Sequence, residues 1–348
     1  MFTLPPIPMP DNPSRQAALQ HQAQLTKPAG ALGRLETLSV QLAAIQARDR
    51  PRIERATVLV FAADHGVAKL GVSAYPQEVT AQMCLNICRG GAAVNVLARQ
   101  VGAEVEVIDV GVIGDLPAHV RLVSAKVAPG TADFTQQPAM SGRQCAQAME
   151  AGAQAIRRAA ANGAHAVVLG EMGIGNSTSA AALMAAYLGL SAEACCGRGT
   201  GLDDAGVKRK CAVVTRGLEL HRETLSDPLG TLAALGGLEL AAIAGAALQA
   251  AALRLPVVVD GFIVSAAVLA AINLDPAVKP FLFWSHRSAE QAHRMLLDAV
   301  DADPLLDLQL RLGEGTGGVL ALHLLRAACR TLDEMATFAD ANVATAAP

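Results

Sequence analysis

The chain has 348 residues, of which 52% are hydrophobic and 17% are charged. A chain of this length and apolar content is not disordered, and it is long enough for one large or two smaller domains with buried cores. The formal net charge is −3, with seven Phe, two Tyr and one Trp. Because no basic stripe and few aromatic platforms are present, a nucleic-acid partner is not expected.

Neither the start of the chain nor its most apolar stretch has the pattern of a membrane or secretion signal. Residues 1–15 are rich in proline and lack the basic and apolar regions of a secretory signal, so we expect a cytoplasmic protein. Glu239, Arg254 and Pro256 interrupt the apolar stretch 229–272, which predicts helix, strand and helix instead of a membrane span. The seven cysteines show no CxxC spacing and are expected to be reduced.

Five short runs rich in β-branched and other apolar residues alternate with alanine-rich stretches of helical periodicity. The runs are 57–62, 105–110, 166–169, 256–260 and 281–284. They are apolar on both faces, as parallel strands covered by helices are. The pattern predicts an α/β fold, with a doubly wound, mostly parallel, Rossmann-like sheet that binds ligands at the carboxyl ends of its strands.

Polar residues cluster immediately after the predicted strands. They are Asp64, His65, Asp109, Glu171, Asp260, Ser285 and His286. Since the carboxyl ends of parallel strands lie at one edge of a sheet, this clustering predicts that one edge carries the functional site.

The two ends of the chain have helical periodicity without neighbouring strands. Helices are predicted near 15–47 and 318–340, and we expect them to pack as a small helical subdomain. The predicted division is a helical segment 1–50, an α/β core 51–305, and a loop and helix 306–348 that pack on the first segment.

The first glycine cluster, 170–178, follows the third predicted strand and opens the alanine-rich helix 179–188. Glycines permit a sharp turn, and the free N–H groups of a helix start attract anions. The segment matches neither GxGxxG, since Thr178 replaces the third glycine, nor GxxxxGK[ST]. It predicts a phosphate-binding loop, the alternative being a tight turn with a hydroxyl side chain as helix cap.

A second cluster, 197–201, precedes Asp203 or Asp204 as a helix cap and then a run of three basic residues. The loop amides, Thr200 and Lys208 form a possible second anion clamp. The alternative for Lys208 is an ordinary solvated helix face.

The third cluster, 311–318, places Glu314 between glycines just before the apolar helix 319–329. A helix start stabilises a nearby carboxylate, so we expect Glu314 to be ionised and able to act as a general base. The alternative is a capping carboxylate. No paired-histidine spacing indicates a metal site, and no GxSxG motif indicates a serine nucleophile.

Seven sequence blocks occur in a familiar order. They are 27–36, 63–67, 75–80, 170–178, 197–201, 285–290 and 313–318. Together they resemble the nicotinate-nucleotide:dimethylbenzimidazole phosphoribosyltransferase family over about residues 20–340. Departures are small: Ala31 stands where serine is common, and Gln291 where glycine is frequent.

The resemblance implies transfer of the phosphoribosyl group of nicotinate mononucleotide to 5,6-dimethylbenzimidazole, giving nicotinate and α-ribazole phosphate for cobalamin. It implies a homodimer with a Rossmann-like sheet and a small helical domain, and no metal or other cofactor. Related benzimidazoles, purines and phenolic bases remain alternative acceptors, because shape mainly defines such a pocket.

The resemblance also implies roles for individual residues. Glu314 matches the family's general base, and we hypothesise that Glu171 stabilises cationic character at the ribosyl carbon. The implied phosphate and ribose ligands are Gly173, Gly175, Asn176, Ser177, Thr178, Gly199 and Lys208. The implied benzimidazole pocket comprises Ser73, Tyr75, Gln82 and Met172.

Two other classes of function use a similar sheet. A dinucleotide-dependent oxidoreductase requires GxGxxG after its first strand, where this chain has Ala62-Ala63-Asp64-His65-Gly66. A non-catalytic nucleotide-binding protein would keep the anion loops but has no use for Glu314 between glycines. Both classes are therefore disfavoured.

Overall fold

A single all-parallel sheet organises the computed structural model, which describes residues 2–199 and 201–344. Within those residues the sheet has six strands: β1 (Ala56–Ala63), β2 (Glu104–Gly111), β3 (Leu122–Ser124), β4 (Ala166–Met172), β5 (Val257–Val259) and β6 (Leu282–Trp284). Their order is β3-β2-β1-β4-β5-β6. The sheet winds outward in both directions from β1 and β4, which confirms the predicted doubly wound fold.

Helices flank the sheet. They are α1 (Asn12–Gln22), α2 (Arg34–Gln46), α3 (Val79–Arg89), α4 (Ala93–Gln100), α5 (Gly142–Ala161), α6 (Asn176–Leu188), α7 (Ala192–Cys195), α8 (Asp204–Leu220), α9 (Pro228–Leu235), α10 (Leu238–Ala252), α11 (Phe262–Leu274), α12 (Gln291–Ala299) and α13 (Thr316–Glu334). Short 3-10 turns occupy Gly66–Leu70, Arg222–Thr224 and Pro276–Phe281.

The five predicted strands are present, with ends that differ by up to three residues. The largest difference is in β4, which continues past the predicted end at 169 and includes Glu171, paired with Phe61 of β1. The sequence did not predict β3, because its residues are partly or fully exposed and lack the buried apolar run of the equally short β5 and β6.

Small residues allow helices to approach closely in the core. A Cβ atom on Gly152 of α5 would lie 1.8 Å from the carbonyl oxygen of Ala242 on α10, and one on Gly245 would lie 2.1 Å from that of Met149. Such contacts explain why the apolar stretch 229–272 is rich in alanine and buried. Among residues 2–199 and 201–344, no helix combines the length and apolar character needed to cross a bilayer.

The terminal helices pack together. Ala18 of α1, Val40 and Ala43 of α2, and Leu332 of α13 form a small apolar cluster separate from the main core. The helices predicted near 15–47 are two, α1 and α2, and the chain turns between Gln22 and Arg34. The segment boundaries after residues 50 and 305 stay a prediction, and residues 1 and 345–348 lie outside the described part of the chain.

Candidate active site

A cavity of about 340 Å³ lies beyond the carboxyl ends of β4, β5 and β6. Most of the predicted site residues line it: Ser73, Tyr75, Glu171, Met172, Gly173, Gly175, Asn176, Ser177, Gly199 and Glu314. Three separate glycine clusters thus converge on one cavity at the predicted edge of the sheet, as expected for a doubly wound fold.

The loop from β4 into α6 forms one wall of the cavity. A Cβ on Gly173 would lie 2.4 Å from the carbonyl oxygen of Ala63, so only glycine fits there. Gly175 has a φ of 97° and precedes α6, for which no side chain within the described residues provides a cap. At the start of α6, Asn176 N and Thr178 N donate to the carbonyl oxygens of Gly173 and Gly175 at 3.1 and 2.9 Å. Ser177 N has no acceptor among the described residues, so this N–H group of the first turn is available to an anion in the cavity.

A buried lysine reaches this loop from α8. Lys210 is 1% exposed, and its Nζ donates hydrogen bonds to Ser177 Oγ at 2.9 Å and to the Gly197 carbonyl oxygen at 3.4 Å. A Cβ on Gly199 would lie 3.1 Å from both Lys210 Nζ and Ser177 Oγ. Burial lowers the pKa of Lys210, because desolvation disfavours its charge. A bound phosphate would favour the charged form of Lys210.

The structure places Lys208 away from this cluster. Lys208 is exposed on α8, whereas Lys210 lies on the buried face of that helix with Gly206, Val213, Val214 and Gly217. Two residues correspond to about 200° around a helix, so the two lysines point in opposite directions. Gly206, Lys210, Val213 and Val214 have the i, i+4, i+7 and i+8 spacing of one helix face. This spacing would have identified Lys210, from the sequence alone, as the lysine on the buried face.

Two other predicted residues lie outside the cavity lining. Thr178 is fully buried behind the loop, and its Oγ1 has no hydrogen-bond partner among the described residues. Gln82 is exposed on α3, and its neighbour Met83 lines the cavity instead. Thr200, part of the predicted second clamp, lies outside the described residues.

Glu314 projects from a loop with unusual backbone geometry. Gly313, Glu314 and Gly315 have φ values of 88°, 63° and 90°, so three consecutive residues are left-handed. For a non-glycine residue this conformation costs about 1–2 kcal/mol. A Cβ on Gly170 of β4 would lie 2.5 Å from the Glu314 carbonyl oxygen, so the loop rests directly on the strand.

The Glu314 carboxyl group is buried, and its Oε2 has no hydrogen-bond partner among the described residues. Burial raises its pKa, a backbone hydrogen bond at Val94 lowers it, and the charge of Asp260 raises it further. The expectation that the helix start stabilises the ionised form is therefore wrong. Asp260 occupies that helix start, accepting from Gly315 N through Oδ2 and from Gly318 N through Oδ1, both at 3.0 Å.

Glu171 lies opposite, at the end of β4. Burial raises its pKa to about 8, a hydrogen bond from Asn176 Nδ2 opposes this, and the charges of Asp260 and Glu239 add to the rise. A carboxyl group with that pKa is mostly protonated near neutral pH. The hypothesis that its charge stabilises a ribosyl cation requires the minority form and stays a prediction.

Two histidines that follow strands support the cavity. His65, behind the β4–α6 loop, contacts Glu239 Oε1 through Nε2 at 2.7 Å and Ser179 Oγ through Nδ1 at 3.1 Å. His286 lines the cavity, with its Nδ1 3.0 Å from Ser285 Oγ and 3.8 Å from Asp260 Oδ1. Burial lowers the pKa of His286, which favours the neutral ring.

The remaining wall is apolar and suits a flat ring. Its side chains were not singled out from the sequence, because scattered aliphatic residues have no distinctive spacing: Val79, Met83, Ile174, Phe262, Ile263, Val264 and Leu312. Within residues 2–199 and 201–344, no group of three or more His, Cys, Asp and Glu side chains is placed to hold a metal ion.

Comparison with known proteins identifies the family. A family model described as Phosphoribosyltransferase matches residues 7–343. A protein of Chloroflexus aggregans named nicotinate-nucleotide–dimethylbenzimidazole phosphoribosyltransferase is 54% identical over 333 residues, covering 96% of this chain and 94% of that protein. A protein of the same name from Azotobacter vinelandii is 54% identical over 332 residues, 94% of each.

A solved structure agrees. The crystal structure of CobT from Thermus thermophilus superposes with a TM-score of 0.91 at 49% identity, covering 96% of this chain and 100% of that one. The matches extend over both the sheet and the terminal helices. The chain belongs to the nicotinate-nucleotide–dimethylbenzimidazole phosphoribosyltransferase family.

Proposed function

We propose that the protein transfers the phosphoribosyl group of nicotinate mononucleotide to 5,6-dimethylbenzimidazole, with Glu314 as the general base, in the synthesis of the cobalamin nucleotide loop. The observation that carries this proposal is the polarity of the cavity. One end has Ser177 at the start of α6, with Lys210 bonded to the Ser177 hydroxyl from behind the cavity lining. The other end has the buried Glu314 carboxyl group, whose Oε2 has no hydrogen-bond partner among the described residues.

The first end suits the phosphate of the nucleotide. The N–H group and the hydroxyl group of Ser177 are donors at the start of α6, and the Lys210 ammonium adds a positive charge that is otherwise poorly solvated. The ribose then extends toward Glu171 and Gly313, whose absent side chain leaves room beside the Glu171 carboxyl group.

The second end suits the acceptor base. One ring nitrogen of the benzimidazole attacks C1′ of the ribose, while Glu314 takes the proton from the other nitrogen. The bond between C1′ and the pyridinium nitrogen breaks, and its electron pair neutralises the departing nicotinate. A pKa raised by burial makes Glu314 a stronger base once it is ionised.

Further parts of the proposal concern assembly and location. We propose that the enzyme is a homodimer in the cytoplasm, which the family resemblance supports. Light scattering of the purified protein would give twice the 35.8 kDa chain mass if this is right, and the single chain mass if it is wrong.

The reaction itself is tested by incubating the protein with nicotinate mononucleotide and 5,6-dimethylbenzimidazole. We expect nicotinate and α-ribazole phosphate in equal amounts, followed by chromatography and mass spectrometry. Glu314→Gln should lower kcat by about 10²- to 10⁴-fold. Glu334→Gln, at the exposed far end of α13, is the matched control and should keep wild-type activity. Absence of product from the wild type would refute the proposal.

A further inference from the structure

The start of α13 is occupied by a carboxylate from another part of the sheet. Asp260 follows β5 and is fully buried, and both of its oxygens accept backbone hydrogen bonds, from Gly318 N to Oδ1 and from Gly315 N to Oδ2 at 3.0 Å each. Burial raises the pKa of Asp260, whereas the nearby His286 and backbone hydrogen bonds from Gly318, Gly315 and Gly261 lower it. Three N–H donors favour the ionised form of this carboxyl group.

His286 contacts the same turn of helix from the next strand. A Cβ on Gly317 would lie 2.0 Å from His286 Nδ1, so the imidazole ring packs on the first turn of α13. The ring also lies against Gly261, where a Cβ would be 3.4 Å from it. The base loop is thus held by the ends of three strands: β4 through Gly170, β5 through Asp260 and β6 through His286.

This arrangement decides which anion occupies the helix start. Glu314 immediately precedes Gly315, the cap position of α13, and an open helix start would attract its carboxylate. If Glu314 capped α13, its carboxylate would bind the N–H groups of that helix instead of facing the cavity. In the structure its one backbone hydrogen bond among the described residues is at Val94 of α4. With Asp260 bound there, Glu314 Oε2 is left without a hydrogen-bond partner among the described residues.

We propose that Asp260 is a positioning residue for Glu314: it occupies the start of α13, fixes the left-handed loop 313–315, and leaves Oε2 of the Glu314 carboxylate free to accept a proton in the cavity. The inference rests on the proposed function of Glu314 as base. It assigns Asp260 no contact with the substrate.

The electrostatic consequence has a definite sign. The other titratable side chains that line the cavity are Tyr75, Glu171, Asp260, His286, Glu290 and Arg311. Of these, Asp260 raises the pKa of Glu314, in addition to the larger effect of burial. Replacing Asp260 by a neutral residue lowers the pKa of Glu314, so the base becomes ionised at lower pH. On a plot of kcat/KM against pH, the rise on the acidic side (the acid limb) therefore moves to lower pH.

The test is Asp260→Asn, which keeps the side-chain shape but removes the charge and one acceptor. We expect kcat to fall about 10- to 100-fold through misplacement of the base. We expect KM for nicotinate mononucleotide to stay within about twofold of wild type. We also expect the acid limb of the kcat/KM profile to move to lower pH. The matched control is Asp109→Asn: Asp109 is also buried at a strand end and accepts from Val112 N at 2.8 Å, but it lies outside the cavity lining. That variant should retain wild-type turnover.

Other outcomes overturn the proposal. A raised KM with unchanged kcat means that Asp260 binds substrate, and a lower kcat with an unmoved acid limb means a purely structural role. If Asp260→Asn does not fold, hydrogen exchange of the backbone amides in the wild type tests the capping role. We expect slow exchange at Gly315 and Gly318, and rapid exchange there would contradict the capping role.

The proposed function is separable from this inference. If the wild type makes no α-ribazole phosphate, the proposed function fails, whereas a carbon-13 titration of the Glu314 carboxyl group in wild type and Asp260→Asn still tests the effect of Asp260. An unchanged Glu314 pKa between the two proteins would refute the positioning role.

Discussion

The cavity has two glycine-rich helix starts with similar sequences and opposite chemistry. At the start of α6, Gly175 precedes a helix that no described side chain caps, and Lys210 lies beside it. At the start of α13, Gly315 precedes a helix whose first N–H groups are taken by Asp260. The first start is open to an external anion at Ser177 N, which has no acceptor among the described residues, and the second is closed by an internal carboxylate.

The difference shows that a glycine loop before a helix does not by itself specify an anion site. What matters is whether another part of the chain supplies the anion. At α13 it does, so the Glu314 carboxylate does not cap the helix and its pKa is raised. At α6 no described side chain supplies an anion. The pKa of the nearby Lys210 is lowered by burial, so a bound anion would stabilise the charged form of this lysine.

The largest effect on binding of the nucleotide is expected at the open helix start. Lys210→Met should weaken binding of nicotinate mononucleotide about 10- to 100-fold, which corresponds to about 1.5–3 kcal/mol for a hydrogen bond to a charged group. Lys208→Met, exposed on the same helix, is the control and should bind like the wild type. Calorimetric titration measures both. Equal losses of nucleotide affinity in the two variants would contradict the assignment of the phosphate to the start of α6.

A smaller effect is expected at the closed helix start. Gly313→Ala introduces a Cβ 2.2 Å from Glu171 Oε1 at a φ of 88°. We expect kcat to fall about tenfold through a shift of the base loop, with a loss of unfolding free energy of about 1–2 kcal/mol. Gly189→Ala is the matched control, since Gly189 also has a positive φ but has no atom within 4 Å of the added Cβ.

Gly189→Ala should therefore share the backbone strain but keep wild-type kcat. Steady-state kinetics and thermal unfolding of both variants separate strain from displacement of the loop. If Gly189→Ala lowers kcat as much as Gly313→Ala does, backbone strain alone accounts for the loss and the base loop has no special role.

The smallest effect concerns Glu171, which lies between the two ends. Because its pKa is raised to about 8 in the folded protein, ionisation destabilises the fold as the pH rises from the ordinary glutamate value of 4.5 toward 8. Glu171→Gln should keep the contact with Asn176 and raise Tm by a few degrees at pH 8. At pH 4, where both side chains are neutral, the difference should disappear. A Tm difference that does not depend on pH would contradict this account.

Much of the fold was predictable because the strands are apolar on both faces and end in glycine or polar residues. The five predicted runs became strands, including the three-residue β5 and β6, which are mostly buried. The partly exposed β3 is identified only by its pairing with β2. Pairing between distant segments has no local signal. Helices were predicted near 15–47 and are present as α1 and α2, but their individual ends were not predicted.

The site was predictable where chemistry is local. The loops around Gly173 and Glu314 carry their own glycines, and both line the cavity. The choice between Lys208 and Lys210 depended on which face of α8 is buried. The raised pKa of Glu314 depended on burial and on Asp260, which comes from a different strand end far earlier in the chain. Long-range caps of this kind follow from the tertiary structure and not from the local pattern.

The contrast between the two helix starts is tested most directly by titrating nicotinate mononucleotide into Glu314→Gln and Lys210→Met in the absence of acceptor. We predict that Glu314→Gln binds the nucleotide with wild-type affinity although it turns over poorly, and that Lys210→Met binds it about 10- to 100-fold more weakly. Weak binding by Glu314→Gln together with normal binding by Lys210→Met would contradict the account.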